Sequence, residues 1–394
     1  TNNGTITMTG VGPHGLYLQG GTFTNNAGKT ITVTKYGLGD SSADGIYADD
    51  NGGAGSTLNN NGTITVTMTG ADDGIYINDG SIINNASMIT IGGVSGDNGI
   101  RIDDAGTFNN NTGGTLTIND TPDDQLFLDA TGTFSNTGTV NLNNASDVGL
   151  YVTDNGVFTN NATGMVNISS ASNYAIQIDA NGNAANIVNN STITITGGSN
   201  DGVRLQEAGV FNNNAGGTLN ITNAGDEGIQ VDDGAVPVST FNNSGSIIIT
   251  SSGDHGMQNY GTFNNLMGGS FQALNCPDDG IRMANAGIFN NDGAINISGS
   301  GSEDIETDGT VFTNTTNATF APGATVGIME IKDAFDLGTS TTTFELPDTT
   351  SGAFDQIQNF SPSAIVISNA KAHFLMEQSS CRRQVMNRCR LTYR

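Results

Sequence analysis

Residues 107–133 read TFNNNTGGTLTINDTPDDQLFLDATGT, and the phrase restarts at once with Thr133-Phe134-Ser135-Asn136. Three short apolar runs sit inside it. Phe108 stands before two asparagines, Leu116 and Ile118 alternate with threonines, and Leu126 and Leu128 flank Phe127. Alternation with a period of two marks strands with one buried face. The Gly, Asn and Asp between the runs are turn residues. Strands this short cannot close a core within one phrase, but stacked on the next copy they bury one face continuously.

The phrase recurs along the chain. Its anchor, the apolar residue before the asparagines, falls at Phe23, Leu58, Ile83, Phe108, Phe134, Phe158, Val188, Phe211, Phe241, Phe263, Phe289 and Phe312. The mean period is about 26 residues, in the range of solenoid repeats. The first strand carries inward pairs such as Ile6/Met8, Ile31/Val33, Ile64/Val66, Ile193/Ile195 and Ile295/Ile297. The second carries Leu16/Leu18, Ile75/Ile77, Ile100/Ile102, Leu150/Val152 and Ile229/Val231. The pattern predicts an all-β, single-stranded parallel β-helix over residues 1–320, with about 12–13 coils and three sides. At about 4.8 Å per coil the rod is roughly 60 Å long.

Asparagine pairs such as Asn25/Asn26, Asn84/Asn85, Asn160/Asn161, Asn189/Asn190 and Asn264/Asn265 hold one corner of every coil. Asn tolerates left-handed backbone, and its amide donates to one neighbouring coil while accepting from the other. The expectation is a ladder.

Composition narrows the function. The 394 residues include 55 Gly and 51 Asn, with 38 acidic residues against 12 basic and a net charge of -26. Such a chain does not bind nucleic acid or anionic lipid through a basic surface. No apolar run approaches the roughly 18 residues of a membrane span. Three cysteines are too few for a disulfide scaffold. The chain opens at Thr1 without a leader, as a processed product or a fragment would.

After Phe320 the repeat changes. Residues 321–380 contain Pro322-Gly323, Gly327, Ile331, Gly338, Glu345-Leu346 and Asp355-Gln356-Ile357. This resembles the closing segment of bacterial autotransporter passengers and related surface β-helix proteins. It departs at Ile328-Met329, where Thr-Leu is usual. The resemblance implies a C-terminal β cap, a right-handed helix, a bacterial extracellular or cell-surface location, and an adhesin or stalk role. Residues 381–394 read as a foreign basic tail: they carry five of the 12 basic residues and two of the three cysteines.

Four candidate surfaces follow. The central outward column of the second strand begins Tyr17, Tyr47, Tyr76, Arg101, Phe127, Tyr151, and the position before its first inward residue is usually Gly. Aromatic rings over a Gly floor, beside Arg and Asp, suggest a shallow glycan-binding strip on a host or neighbouring cell's ligand; the competing reading is cross-strand stabilisation. The Asp pairs at the turns, among them Asp72/Asp73, Asp103/Asp104 and Asp232/Asp233, read as one stacked acidic column. Like charges at coil spacing repel by roughly 0.9 kcal/mol in water, and calcium would relieve them; the competing reading is plain turn formation. No other cofactor is implied. Thr-x-Thr runs such as Thr63/Thr65 and Thr115/Thr117 resemble the ice-binding face of some β-solenoids. A polysaccharide-degrading enzyme is the last alternative, but its carboxylates recur in nearly every coil and single out no catalytic pair. His14 and His255 occupy the slot that Asp fills elsewhere. The expected function is a non-catalytic surface adhesin or stalk, with exposed end coils open to end-to-end self-association.

Overall fold

The computed structural model describes residues 1–10, 12–36, 43–50, 52–69, 72–93, 96–232, 238–285, 287–308, 311–314 and 318–322. Beyond these it describes strands at 328–331, 335–336, 341–345, 356–359, 365–366 and 371–375. The tail at 381–394 lies outside the described residues. All the regular structure described is strand, arranged in three parallel sheets of 15, 14 and 14 strands. Each sheet takes every third strand, so one coil contributes one strand to each side. This is a β-solenoid, and at about 4.8 Å per strand the longest sheet spans roughly 65 Å. The same three sheets run on through Ile328–Ile331 to Lys371–Leu375, past the point where the sequence repeat changes.

The core is the set of inward residues expected from alternation. On the first sheet Ile31, Val33, Ile64, Val66, Leu116 and Ile118 are all 0% exposed. The second sheet buries pairs such as Ile75/Ile77 and Leu150/Val152. The third contributes a file of rings. Phe108, Phe134 and Phe158 stack at 4.9 and 5.2 Å, and Phe211, Phe241, Phe263, Phe289 and Phe312 follow at 4.6–5.3 Å. In one coil the anchor is misread from sequence. Ile187, not Val188, aligns with Phe158 and Phe211 and is fully buried. The frame there is set by Asn189, which takes the ladder position.

The ladder exists and is continuous. Asn2, Asn25, Asn60, Asn85, Asn110, Asn136, Asn160, Asn189, Asn213, Asn243, Asn265 and Asn291 each donate Nδ2 to the next Oδ1, the last to Asn314, at 2.7–2.9 Å. Most members also donate to the first strand of the following coil, as Asn136 does to the Met165 carbonyl at 3.2 Å. A second, half-buried file runs beside it with the opposite polarity: Asn84 donates back to Asn59, Asn109 to Asn84, and Asn290 to Asn264. Left-handed backbone is not what the ladder positions supply. Among the described residues the non-glycine left-handed positions include Asp120, Asn144, Ser170, Asn223, Ser251 and Asn275, with φ of 53–61°. They sit two residues beyond the last inward residue of the first sheet, at a different corner, where Gly93, Gly197 and Gly299 take the same place.

Candidate functional site

The expected outward column is a column in space. Strand register aligns Tyr17, Tyr47, Tyr76, Arg101, Phe127, Tyr151, Gln177 and Arg204 on the second sheet. Tyr17 and Tyr47 stack at 5.3 Å and 12°, and Tyr47 and Tyr76 approach to 5.2 Å. The Arg101 guanidinium lies 5.5 Å from both the Tyr76 and Phe127 ring centroids, and Phe127 stacks on Tyr151 at 5.1 Å. The ring faces are therefore turned toward one another along the rod. What reaches solvent is ring edges, hydroxyls and the guanidinium edge. Arg101 is further held by Asp103 at 2.9 Å and Asp129 at 3.7 Å. Tyr76 and Tyr151 are pushed up, Tyr151 to about 12, by burial and by the nearby carboxylates.

The glycine floor is a misreading. Gly45, Gly74, Gly99, Gly149, Gly202, Gly228 and Gly280 are buried. A Cβ on any of them would come within 2.1–2.6 Å of a core Val or Ile side chain. The chain bends before the strand begins, so this position faces the packed corner, not solvent. Glycine is kept there by close packing.

The aspartate pairs also divide. Asp72 and Asp73 precede the second-sheet strand, while Asp103, Asp104 and Asp232 follow it, at the opposite edge of the same sheet. They cannot form one stack. Asp103 is bound to Arg101, and Asp232 accepts from Arg204 at 3.0 Å. Asp104 is a left-handed turn residue. Asp233 lies outside the described residues. Asp73 is buried and accepts the Asn98 backbone N–H at 3.0 Å.

Sequence reading missed what the first of these corners builds. Register brings His14, Asp44, Asp73, Asn98, Asp124, Val148, Tyr174, Asp201, Glu227, His255, Asp279 and Glu303 into one file, two residues ahead of the strand's first inward residue. Asp44, Asp73, Asp124, Asp201, Glu227, His255 and Asp279 are each at most 5% exposed. Burial pushes Asp44 up to about 7, and Asp124, Asp201 and Asp279 up to about 8. A second, outer file of Asp72, Asp97, Asp123, Asp147, Asp226, Asp254 and Asp278 runs beside it. The signal was available: the acidic residue recurs at a fixed offset from the strand.

The two histidines fill the Asp slot as expected. His14 Nδ1 lies 3.1 Å from Asp44. His255 is caged, with Glu227 and Asp254 at 3.4 and 3.2 Å from Nδ1 and Asp278 and Asp279 both 3.5 Å from Nε2. Burial pulls its imidazolium down, but Glu227, Asp254 and Asp279 outweigh that and hold it above its ordinary value. On the first sheet, the threonine lattice is broken by Met88 and Met165, 44% and 48% exposed, and by Ile248. Among the described residues no helix is long and apolar enough to cross a membrane.

No protein-family model matches the chain, and no curated protein sequence does. Among solved structures it is similar to the crystal structure of a TibC-catalysed, hyper-glycosylated TibA fragment. That alignment covers 92% of this chain and 99% of the other, at 13% identity and a TM-score of 0.29.

Proposed function

We propose that this protein is an extracellular, non-catalytic rod of the adhesin or stalk type, and that the Tyr17–Tyr151 face of its second sheet binds saccharide. The observation that supports this is the row itself. Tyr47, Tyr76, Arg101, Phe127 and Tyr151 are half-exposed and in register, with Asp49, Asp103 and Asp129 along one margin and Asp72, Asp97, Asp123 and Asp147 along the other. The tyrosine hydroxyls, the Arg101 guanidinium and the flanking carboxylates, set one coil apart, offer an extended polyhydroxyl ligand hydrogen-bond partners along the row. Because the ring faces are occupied by one another, recognition proceeds through their edges and polar groups. The closing-segment resemblance supports the surface location. The test is a glycan array probed with the wild-type chain and with the triple variant Tyr47→Ala, Tyr76→Ala, Tyr151→Ala. Retention by the wild type and loss in the variant, with the second-sheet strands still protected from hydrogen exchange, supports the reading. No retention by the wild type, or undiminished retention by the variant, refutes it.

A further inference from the structure

Asn98 stands in the buried acidic file but does not share the hydrogen-bond pattern of its carboxylates. In five members of the file a carboxylate oxygen accepts the backbone N–H of the same position one coil on. Asp44 accepts from Asp73, Asp73 from Asn98, Asp124 from Val148, Asp201 from Glu227 and Asp279 from Glu303, at 3.0–3.3 Å. Asn98 departs from this. Its Nδ2 turns back to Asp73 Oδ1 at 3.0 Å. Its Oδ1 accepts no hydrogen bond, although the residue is only 3% exposed. The oxygen is on the other arm of the amide, and the register neighbour on the side away from Asp73 is Asp124.

Carboxylates crowd that side. Asp123, Asp124 and Asp147 each place an oxygen within 4.8 Å of the others, and Asp97 shares a hydrogen bond with Asp123. Asp124 is buried, while Asp97, Asp123 and Asp147 are half-exposed and leave a path from solvent. Four other acidic groups of this file have a cationic side chain beside them. Asp44 has His14 and the field of Lys35, Asp201 has Arg204 at 3.7 Å, and Glu227 and Asp279 share His255. Among the described residues, the Asp97–Asp147 group has none, since Arg101 is committed to Asp103 and Asp129.

We propose that Asn98, Asp123, Asp124 and Asp147, with Asp97 at the margin, bind one calcium ion. The donors are all oxygen, which suits a hard divalent cation and not zinc or copper. The orphaned amide carbonyl is a neutral donor of the kind calcium sites use. The site ties three successive coils together and shares Asp97, Asp123 and Asp147 with one margin of the saccharide row, so it is tested with calcium alone.

Calorimetric titration of calcium chloride into the chelator-treated full chain tests this. One calcium per chain is expected. Asn98→Leu is expected to weaken binding about tenfold or more, and Asp124→Asn to abolish it. Asp147→Asn, at the exposed rim, repeats the test without touching the interior. Asp72→Asn on the same corner is expected to leave the affinity unchanged. No heat from the wild type overturns the proposal. So does a wild-type affinity retained in Asn98→Leu and Asp147→Asn, or a loss in Asp72→Asn that those two variants do not show.

Discussion

Replacing Asn136 by alanine isolates what the asparagine ladder contributes. Asn136 is 0% exposed, and its side chain makes four hydrogen bonds. Nδ2 donates to Asn160 Oδ1 at 2.9 Å and to the Met165 carbonyl at 3.2 Å, while Oδ1 accepts from Asn110 Nδ2 at 2.9 Å and from the Gly138 N–H at 3.1 Å. Each bond contributes about 1 kcal/mol net. Truncation also orphans the buried Asn160 Oδ1, which costs about 1–3 kcal/mol, while the Gly138 N–H keeps the Asn110 carbonyl at 3.2 Å. Asn110 Nδ2 loses less, because it keeps the Thr139 carbonyl at 3.0 Å. The expected cost is about 4–6 kcal/mol, concentrated in one coil and its two interfaces. Global denaturation is a poor readout, since long repeat arrays lose two-state behaviour. Hydrogen exchange of strands Thr107–Asn110, Thr133–Asn136 and Val157–Asn160 reads the local opening directly. Asn109→Ala is the control: it removes one half-buried rung of the outer file and is expected to cost about 1 kcal/mol. If Asn136→Ala accelerates exchange no more than Asn109→Ala does, the ladder is not a major source of stability.

Stability is expected to fall as pH rises from about 5 to 9. Asp44, Asp124, Asp201 and Asp279 have folded values raised to about 7–8 by burial, and His255 is also raised. A raised folded value contributes stability that is present below the unfolded value and lost as pH passes the folded one. A Tm measured in chelator that climbs across that range contradicts this. Gly228→Ala drives a Cβ to 2.4 Å from Ile249 Cγ2 and 2.6 Å from the Gly256 carbonyl, so a loss of about 1–3 kcal/mol is expected in urea titration. Arg204→Met strips the partner from Asp232 and from the buried Asp201. It should cost about 2–4 kcal/mol at pH 8 and less at pH 5, where Asp201 is protonated; equal losses at both pH values count against the pairing.

How much of this was legible in the sequence depends on what each residue reports. Inward pairs such as Ile64/Val66 were readable because period-two alternation survives wherever a strand is straight. The slot shared by His14, His255 and the aspartates was readable because it keeps a fixed distance from the strand. Corners defeated the same logic. Gly228 looks outward by counting back from Ile229, yet the chain bends there and its Cα faces Ile249. Asp72/Asp73 and Asp103/Asp104 look alike in a string, but a strand separates them, and composition does not say which edge an Asp-Asp pair occupies. Nothing in the string sets Asn98 apart from the other turn asparagines. Only the register that sets it between Asp73 and Asp124 exposes its unmatched oxygen.

The direction of the hydrogen bonds has a mechanical consequence. In all three sheets and in both asparagine files the bonds run from coil to coil, along the rod. Tension applied along the axis through a bound face loads every bond of a coil interface at once, and the three sides share it. Tension applied to a chain end loads only the outermost coil and removes its strands in succession. The same molecule is thus stiff to a pull between attachment points and peels readily from a free end, so its resistance depends on where the load enters.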